Sequence, residues 1–522
     1  MGDRTKAPER ELFTLLDQWK STLVDGIVTP STAISPPTLD ALLNCILIRL
    51  LWLKLLENQG NLPHGTILSC SEADAPQDQF YQLFQGIVQR SMAPSFHSPP
   101  LKVHVKHHAV PPSQTRDTPS ASTLQFASTT VKEILSSLHA FTNPALASGP
   151  SDILGLAYEH FLNHPIAPMH PASHPPAPAP HSKKARGIYY TPAAIVEKMV
   201  EQTLGEYLKG KAVDAIANLT ILDPACGSGA FLVQAYKFLL TWYQQQMSPS
   251  GHSSASLPWE TKQMLLRRHI YGVDVDPQAV EITGLSLLFT LLEGFDLTLH
   301  SPGQTATQHG QQSQSTHIPE INIPTANIPA DHVPAPKILT ANIQWGNAVI
   351  GPDLIHDPTL RLTSAQHHPI RPLDWHKAFP KILQRGGFDI VLGNPPYVDA
   401  EWMTRYQPIE RHYCSQHYRT ASGNWDLFCV FCEKALQVCQ PYGLTSFIVP
   451  NKLGAASYAR SLRHLLSIDN QLLALRDYSD VPVFPIAVYP LVYVVRKTKP
   501  TATPVKWEKV TRSTVDMRFL DY

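Results

Sequence analysis

The chain has 522 residues, and its 42 Lys and Arg balance its 42 Asp and Glu, so the formal net charge is zero. Charged residues make up only 16% of the chain and hydrophobic residues 43%, which excludes a charged solvating tail and permits a sizeable core. The 47 prolines are nearly twice the usual share of about 5%, and they indicate that part of the length is linker.

The first 162 residues are predicted to form a largely α-helical region. Apolar residues recur at helical spacing in four segments, residues 8–57, 79–91, 130–138 and 152–162. Asp152 is placed to cap the last of these helices. The stretch near 94–118, rich in Pro, Ser, Thr and His, is predicted to be a disordered loop. Polar and charged residues interrupt the longest apolar patch, Leu42 to Leu56, so we expect neither a membrane span nor a signal peptide.

A Pro/His-rich segment, residues 163–186, follows and is predicted to be an extended linker. No rigid element holds its four histidines together, which favours adventitious metal binding over a designed site, and we expect no metal. Its short basic cluster, Lys183, Lys184 and Arg186, is interpreted as a solvated face, with phosphate contact as the alternative.

From residue 187 onward, short apolar runs alternate with helical runs, the pattern of βαβ units in a parallel sheet. Residues 298–336, rich in Gln, His, Thr and Pro, are predicted to be a flexible insertion within this domain. Seven strands are predicted, at Thr220–Leu222, Ile270–Val273, Ile338–Ile343, Ile390–Leu392, Thr445–Val449, Leu472–Leu475 and Leu491–Val495.

The first of these strands leads into a glycine-rich turn, Asp223-Pro-Ala-Cys-Gly-Ser-Gly229, followed by a helix. At Gly227 and Gly229 the backbone N–H groups can face a ligand without obstruction by a Cβ. A short Gly-x-Gly after a strand is often only a tight turn, but the preceding Asp-Pro-Ala-Cys makes the pattern more specific. Roughly 50 residues later, Asp274 ends the next strand, where a carboxylate can accept hydrogen bonds from ribose hydroxyls. Asp276 is predicted to cap the helix that starts at Pro277.

A third segment, Asn394-Pro-Pro-Tyr397, directly follows a buried strand. Two prolines fix the backbone, so the Pro395 carbonyl and the Asn394 side-chain oxygen can both point into a cleft as hydrogen-bond acceptors for an amino group. Tyr397 offers an aromatic face for a planar base. An isolated Asn-Pro-Pro is usually a turn, but this one lies downstream of a nucleoside-like site.

In this order the three segments resemble the adenine-N6 DNA methyltransferases of type IIG and type I restriction-modification and phage-defence systems, the Asn-Pro-Pro-Tyr amino-methyltransferases. The resemblance implies an α/β fold in which a Rossmann-like S-adenosylmethionine-dependent methyltransferase sheet, seven-stranded and mostly parallel with its last strand antiparallel, is preceded by a largely α-helical domain. The catalytic domain would span residues 187–522. The implied catalytic residues are Asn394, Pro395, Pro396 and Tyr397. The implied cofactor residues are Tyr190, Thr191, Pro192, Asp223, Ala225, Gly227, Gly229, Asp274 and Asn347. At the position of Asn347, many relatives carry Asp.

The chemistry implied by the resemblance is site-specific transfer of methyl from S-adenosylmethionine to N6 of an adenine flipped out of double-stranded DNA. No metal and no covalent intermediate are required. The chain stops at Tyr522, where relatives carry a target-recognition domain, so a separate specificity or restriction subunit is an expected partner. No nuclease constellation is found in the first 180 residues, and no cleavage activity is expected.

Two other functions stay open. A protein-glutamine N-methyltransferase uses the same kind of acceptors, and a non-catalytic or truncated subunit lacking its target-recognition domain would keep the site without turnover. Seven cysteines, few and odd in number, argue against a secreted disulfide framework and favour the cytoplasm. Cys429 and Cys432 are interpreted as buried thiols rather than zinc ligands, and Cys226 as a packing or cofactor-adjacent residue.

Overall fold

The structure is a computed structural model that describes most of the chain. The described residues are 6–28, 36–91, 102–103, 122–123, 126–142, 150–166, 191–247, 257–294, 341–356, 370–484 and 488–511. They fall into two compact units, one drawn from residues 3–171 and 292–340 and the other from residues 172–291 and 341–522. Tyr190, the insertion at 298–336 and most of the segments 94–118 and 163–186 lie outside the described residues. The domain boundaries proposed from the sequence therefore stay predictions.

The described residues of the first unit are mostly helical, as the apolar spacing predicts. Its helix α6 begins at Pro150, so Asp152 lies in the first turn and not at the cap. A two-residue strand β1 (Lys102–Val103) pairs antiparallel with β2 (Ser122–Thr123). The helices are α1 (Lys6–Asp25), α2 (Pro36–Asn58), α3 (Thr66–Glu72), α4 (Pro76–Ser91), α5 (Ser128–Ala140) and α6 (Pro150–Asn163).

Helix α2 is buried along most of its length because it is rich in leucine on every side. Its charged residues are buried with partners, which explains the interrupted apolar patch. Lys54 donates from Nζ to the His139 carbonyl at 2.9 Å, and burial lowers the pKa of its ammonium group. None of the helices in the described ranges is long and apolar enough to cross a bilayer.

The second unit is built on an eight-stranded mixed sheet. In the order β10-β8-β9-β7-β6-β3-β4-β5, only β9 runs antiparallel to its neighbours β7 and β8. The strands are β3 (Ile221–Asp223), β4 (Ile270–Asp274), β5 (Ile343–Trp345), β6 (Phe388–Gly393), β7 (Cys439–Pro450), β8 (Gln471–Asp477), β9 (Pro490–Arg496) and β10 (Lys506–Lys509). The mostly parallel α/β sheet predicted from the sequence is thus confirmed, with Leu491–Val495 antiparallel as expected.

Helices pack against this sheet and bury its central strands. All six residues of β6 are buried, as expected for a strand covered on both faces. The helices are α7 (Ala193–Leu208), α8 (Ala230–Met247), α9 (Trp259–His269), α10 (Pro277–Leu292), α11 (Trp375–Ala378), α12 (Pro380–Gln384), α13 (Ala400–Tyr406), α14 (Pro408–His417), α15 (Leu427–Val438), α16 (Lys452–Ala455) and α17 (Arg460–Ser467). Short 3-10 turns lie at Val213–Ile216, Pro352–His356 and Ser457–Ala459.

Two strand predictions were wrong in detail. The sheet has eight strands, not seven, because β10 adds to the edge beside β8. All four residues of β10 are exposed and three are charged, so the strand carries no apolar pattern that a sequence search detects. The strand predicted at Ile338–Ile343 begins instead at Ile343. There the Asn342 side chain donates to the Arg267 and Ile270 carbonyls, which fixes the start of the strand.

A buried carboxylate anchors the start of β6 to its neighbours. Asp389 accepts hydrogen bonds from the backbone and hydroxyl of Thr220 at 2.8 and 3.0 Å and from the Tyr207 hydroxyl at 2.5 Å. Arg385 and Gln440 also donate to it. Since Asp389 is the second residue of β6 and Gly393 the last, this network holds the end of the strand opposite to the candidate site.

Candidate active site

Three of the segments selected from the sequence meet at one edge of the sheet. Strands β6, β3 and β4 are adjacent and parallel, so their carboxyl ends lie together. Gly393, which ends β6, lies against Asp223, which ends β3: a Cβ built on Gly393 would stand 2.5 Å from Asp223 Oδ1. Asp274 ends β4. The candidate catalytic segment therefore begins in direct contact with the candidate cofactor segment.

The glycine-rich turn is built as a cradle of backbone groups. Gly227 has φ 54° and Gly229 has φ 89°, values that favour glycine. A Cβ at Gly229 would meet Thr283 at 3.1 Å, whereas one at Gly227 would meet nothing within 4 Å. The turn is closed by the Gly229 N–H, which donates to the Cys226 carbonyl at 2.8 Å. Gly227 thus faces open space that its missing side chain leaves available to a ligand.

Asp223 lies beneath this turn and is buried, with 1% of its surface exposed. Its carboxylate accepts a hydrogen bond from the Ala225 N–H at 3.0 Å. Burial, together with the nearby charge of Asp274, raises the pKa of the Asp223 carboxyl well above its usual range. A cation placed beside it would reverse this effect, so the site favours a positively charged ligand group.

Asp274 faces the same turn from the neighbouring strand. Its Oδ2 accepts from the Gly227 N–H and its Oδ1 from the Asp276 N–H, each at 2.8 Å. A carboxylate has about four acceptor positions and can accept several hydrogen bonds at once. Asp276 accepts from the Gln278 N–H at 2.9 Å and caps α10, as predicted. Val275, between the two acids, is 52% exposed.

Asn347 lies just past the end of β5, the next strand along the sheet. Its Oδ1 accepts from the Val349 N–H at 3.2 Å, and its own N–H donates to the Arg371 carbonyl at 2.8 Å. The Arg371 guanidinium stacks on the ring of Trp345 at 3.6 Å, and this ring is 40% exposed. The adenine contact expected of Asn347 would therefore come from a side chain whose oxygen already orders its own loop.

The Asn394-Pro-Pro-Tyr397 segment is held at both ends. Asn394 Nδ2 donates to Thr191 Oγ1 at 3.0 Å, which joins two residues 203 positions apart in the sequence. At the other end the Tyr397 hydroxyl donates to the Ile448 carbonyl at 3.0 Å. Pro395 is buried and Pro396 half-buried between these anchors.

The segment before α7 supplies Thr191 and Pro192 to this site. Thr191 is 3% exposed, and Pro192 is the residue that precedes the first turn of α7. Tyr190 lies outside the described residues. Thus the structure brings Thr191 to Asn394, while the expected closure of Tyr190, Thr191 and Pro192 over the cofactor stays a prediction.

Two residues near the tetrapeptide were missed by sequence reasoning. The ring of Phe484 lies edge-on to that of Tyr397, with centroids 6.1 Å apart and planes at 76°. Asp426 caps α15 beside Val398, the residue that follows Tyr397. Phe484 lies between β8 and β9 in a segment without regular structure, so periodicity offers no signal for it.

The cysteines are buried and do not form a metal site. Burial raises the pKa of the Cys226 thiol, which keeps it protonated and opposes a nucleophilic role. Cys429 and Cys432 are fully buried in α15. Within the part of the chain that the structure describes, no group of three His, Cys, Asp or Glu side chains is arranged to hold a metal ion.

Comparisons with known proteins agree with this site. The family model described as "N-6 DNA Methylase" matches residues 150–352, and the one described as "Eco57I restriction-modification methylase" matches residues 268–484. The type II restriction enzyme and methyltransferase RM.Eco57I of Escherichia coli is 28% identical over 342 residues, which are 64% of this chain and 30% of that protein. The type II methyltransferase M.XhoI of Xanthomonas vasicola is 30% identical over 120 residues, 22% of this chain and 20% of that protein.

Among solved structures, the Type IIL restriction-modification enzyme MmeI in complex with DNA is similar in fold. Its TM-score is 0.53 at 16% identity, covering 97% of this chain and 59% of that chain. The chain thus spans 30% or less of the two curated relatives and 59% of the MmeI chain.

The sheet, its glycine-rich turn and the acid that ends the next strand define the Rossmann-like fold of S-adenosylmethionine-dependent methyltransferases. Within this class, the two family models together cover residues 150–484. Over these residues the chain matches the adenine-N6 DNA methyltransferase family of restriction-modification systems. The resemblance drawn from the sequence motifs is confirmed.

Proposed function

We propose that this chain is a site-specific adenine DNA methyltransferase that transfers methyl from S-adenosylmethionine to the N6 amino group of adenine. The observation that carries the proposal is the contact between Gly393 and Asp223, which joins the start of Asn394-Pro-Pro-Tyr397 to the cofactor turn. A methyl donor held by the turn and an amino group held by the tetrapeptide would lie side by side, and such positioning supplies much of a transfer reaction's acceleration.

The residues at the turn fit S-adenosylmethionine. Asp223, buried with a raised pKa, suits the cationic amino-acid end of the cofactor. Asp274 is proposed to accept from the ribose hydroxyls and Asn347 to lie near the adenine, and the open side of Gly227 leaves room for the ligand. When bound, the cofactor supplies an electrophilic methyl group on a sulfonium. Tyr190, Thr191 and Pro192 are proposed to close over its methionine end, with Ala225 and Gly229 shaping the turn.

The target adenine must leave the DNA stack before its amino group can reach this site. Asn394 and the Pro395 carbonyl are proposed to accept the two N6 hydrogens, which draws the nitrogen lone pair out of conjugation and accommodates positive charge as it develops. Thr191 orients Asn394 for this task by accepting from its Nδ2. Tyr397 is proposed to stack on the flipped base, and Phe484 packs edge-on against its ring.

Double-stranded DNA is the proposed partner, in keeping with the MmeI structure, which is described as a complex with DNA. A grip on the phosphate backbone supplies most of the affinity of such complexes. A specificity or restriction subunit is proposed as a further partner, which would recognise a particular DNA sequence.

The test is transfer of labelled methyl from S-adenosylmethionine to unmethylated genomic DNA by the purified chain, followed by nucleoside analysis. Label in N6-methyladenine is the expected result. Asn394→Ala should reduce transfer by at least about a hundredfold, because one acceptor of the developing charge is lost, while cofactor binding stays nearly intact. Label in glutamine of added protein, and none in DNA, would instead favour the protein-glutamine alternative. Cofactor binding with no transfer to either substrate would contradict the proposal for the isolated chain.

A further inference from the structure

A short segment, residues 370–373, is bonded to the loop that follows β5. The Asn347 N–H donates to the Arg371 carbonyl at 2.8 Å. Further along, the Leu373 N–H donates to the Ile350 carbonyl at 2.9 Å. These two bonds hold the backbone on either side of Arg371 against the loop that carries Asn347.

Arg371 has a backbone conformation that its residue type disfavours. Its φ is 50°, in the left-handed region where a Cβ lies too close to the following carbonyl oxygen. Among the non-glycine residues that the structure describes, only Tyr442, with φ 66°, shares this property. Such strain persists where the surrounding structure fixes it, and it is frequent at ligand sites. A glycine would adopt this φ without strain, so what arginine adds at this position lies in its side chain.

The side chain of Arg371 connects the ends of two strands. Its guanidinium lies 3.6 Å from the centre of the ring of Trp345, the last residue of β5. The Trp345 Nε1 donates to the carbonyl of Val275 at 3.1 Å, and Val275 directly follows Asp274. A second bond, from the Gly346 N–H to the Asp274 carbonyl at 2.8 Å, joins the same strand ends. The stack is therefore tied to the acid that is proposed to bind the ribose.

Apolar surface is left uncovered around this connection. Val275 is 52% exposed and Trp345 is 40% exposed, whereas every residue of the neighbouring strands β3 and β6 is buried. Apolar and aromatic surface next to a few converging polar groups is the usual composition of a small-molecule site. Since the adenine of the cofactor is attached to its ribose, a ribose held by Asp274 would bring the base to this surface.

We propose that Arg371 is a positioning residue for S-adenosylmethionine. Its guanidinium holds the Trp345 indole in place, and Trp345 and Val275 form the surface against which the adenine end of the cofactor packs. This inference rests on the proposed function, because it names a residue that shapes the same cofactor site. A planar guanidinium suits this task, since it stacks on an aromatic face and is attracted to it as a cation.

The experiment uses Arg371→Gly and a matched control, Tyr442→Gly. Glycine at position 371 relieves the backbone strain and keeps the backbone bonds, but it removes the stack. Tyr442 has a similar φ, is 72% exposed and lies near the amino end of β7, opposite to the candidate site. Calorimetry measures the affinity for S-adenosylmethionine at a temperature where all variants are folded. Thermal unfolding and the KM and kcat of methyl transfer are measured in parallel.

We expect Arg371→Gly to bind S-adenosylmethionine about tenfold more weakly than wild type, because the indole is no longer held. Its unfolding temperature should not fall below that of wild type, since the relief of strain offsets the lost stack. The KM for the cofactor should rise while kcat changes little. Tyr442→Gly should keep the wild-type affinity and KM.

A further variant, Trp345→Phe, tests whether the cofactor reaches the indole. The chain has nine tryptophans, and the binding of S-adenosylmethionine should change their fluorescence in wild type. This change should be largely absent in Trp345→Phe. A change of wild-type size in Trp345→Phe would mean that the cofactor lies away from the indole and would overturn the inference.

Equal cofactor affinity in Arg371→Gly and wild type would also overturn the inference, as would an equal loss of affinity in Tyr442→Gly. If Arg371→Gly loses affinity only because it is partly unfolded, Arg371 is purely structural and the inference is wrong. A wild-type chain that binds S-adenosylmethionine but transfers no methyl to DNA contradicts the proposed function alone, because the binding measurements need no transfer. A wild-type chain that does not bind S-adenosylmethionine contradicts both.

Discussion

Replacing Gly393 with alanine should separate the catalytic strand from the cofactor strand. The added Cβ would lie 2.5 Å from Oδ1, 2.9 Å from Cγ and 3.0 Å from Oδ2 of Asp223. Ordinary contacts of a Cβ begin at about 3.4 Å, so β6 and β3 would have to move apart by about half an ångström to an ångström. Asp223 cannot rotate away freely, because it is buried and bound to the Ala225 N–H.

Overpacking of this kind costs about 1–3 kcal/mol. Part of the displacement falls on Asp223, so the affinity for S-adenosylmethionine should decrease by about tenfold, which corresponds to about 1.4 kcal/mol. Urea denaturation measures the first effect as a lower unfolding midpoint. Isothermal titration calorimetry of S-adenosylmethionine measures the second effect.

A matched control is available at Gly454 in α16. A Cβ there would meet nothing within 4 Å, so Gly454→Ala should be neutral or stabilise by about 0.4–1 kcal/mol. The double variant Gly393→Ala/Asp223→Ala removes the carboxylate that the new methyl group meets. Its loss of stability should therefore be smaller than the sum of the losses in the two single variants. If the losses of stability in the two single variants simply add, the contact between Gly393 and Asp223 is not the cause of the destabilisation. The same conclusion holds if Gly393→Ala has the unfolding midpoint and cofactor affinity of Gly454→Ala.

Three further predictions follow from the same contacts. Asp389→Ala should destabilise the chain by about 3 kcal/mol in urea denaturation, because buried donors lose their acceptor. Asp480→Ala, which breaks an exposed ion pair with Lys509, should leave the unfolding midpoint nearly unchanged. Thr191→Val should lower the methyl-transfer rate roughly fivefold to tenfold, because Asn394 loses its hydrogen-bond partner. Thr191→Ser keeps the hydroxyl and should have the wild-type rate. Equal rates in wild type and Thr191→Val would contradict the role of Thr191. The affinity for S-adenosylmethionine should increase as the pH rises, because the cationic group of the cofactor favours ionised Asp223. Binding should therefore release protons from the protein, which calorimetry in buffers of different ionisation enthalpy measures. Binding without proton release would contradict this role of Asp223.

The parts of the site that the sequence predicted are those with strong local signals. Glycine at positive φ, proline after a strand and an acid at a strand end are determined within a few residues of the chain. For this reason Gly227, Asp274 and Asn394-Pro-Pro-Tyr397 all stand at the predicted edge of the sheet. The parallel arrangement of the strands then brings these strand ends together at one edge of the sheet, without any further information from the sequence.

The parts that sequence reasoning missed depend on contacts between distant segments. Phe484 meets Tyr397 only because β9 inserts between β7 and β8, an arrangement that no local pattern encodes. The edge strand β10 is exposed and charged, so it lacks the hydrophobic signal of a strand. Leu427, the first residue of α15, donates to the Val398 carbonyl because α15 packs beside the tetrapeptide, and no local pattern in the sequence indicates that contact.

This difference bears on how the proposed active site works. The residues proposed to contact the reacting groups are placed by local rules, but their precision comes from anchors supplied by other segments: Thr191 for Asn394, Ile448 for the Tyr397 hydroxyl and Leu427 for the Val398 carbonyl. A misplacement of about 1 Å at a reacting centre can cost a hundredfold in rate. Variation in the anchors should therefore change the rate of transfer while the tetrapeptide itself stays the same, and a rate comparison among anchor variants with unaltered cofactor affinity would reveal that division.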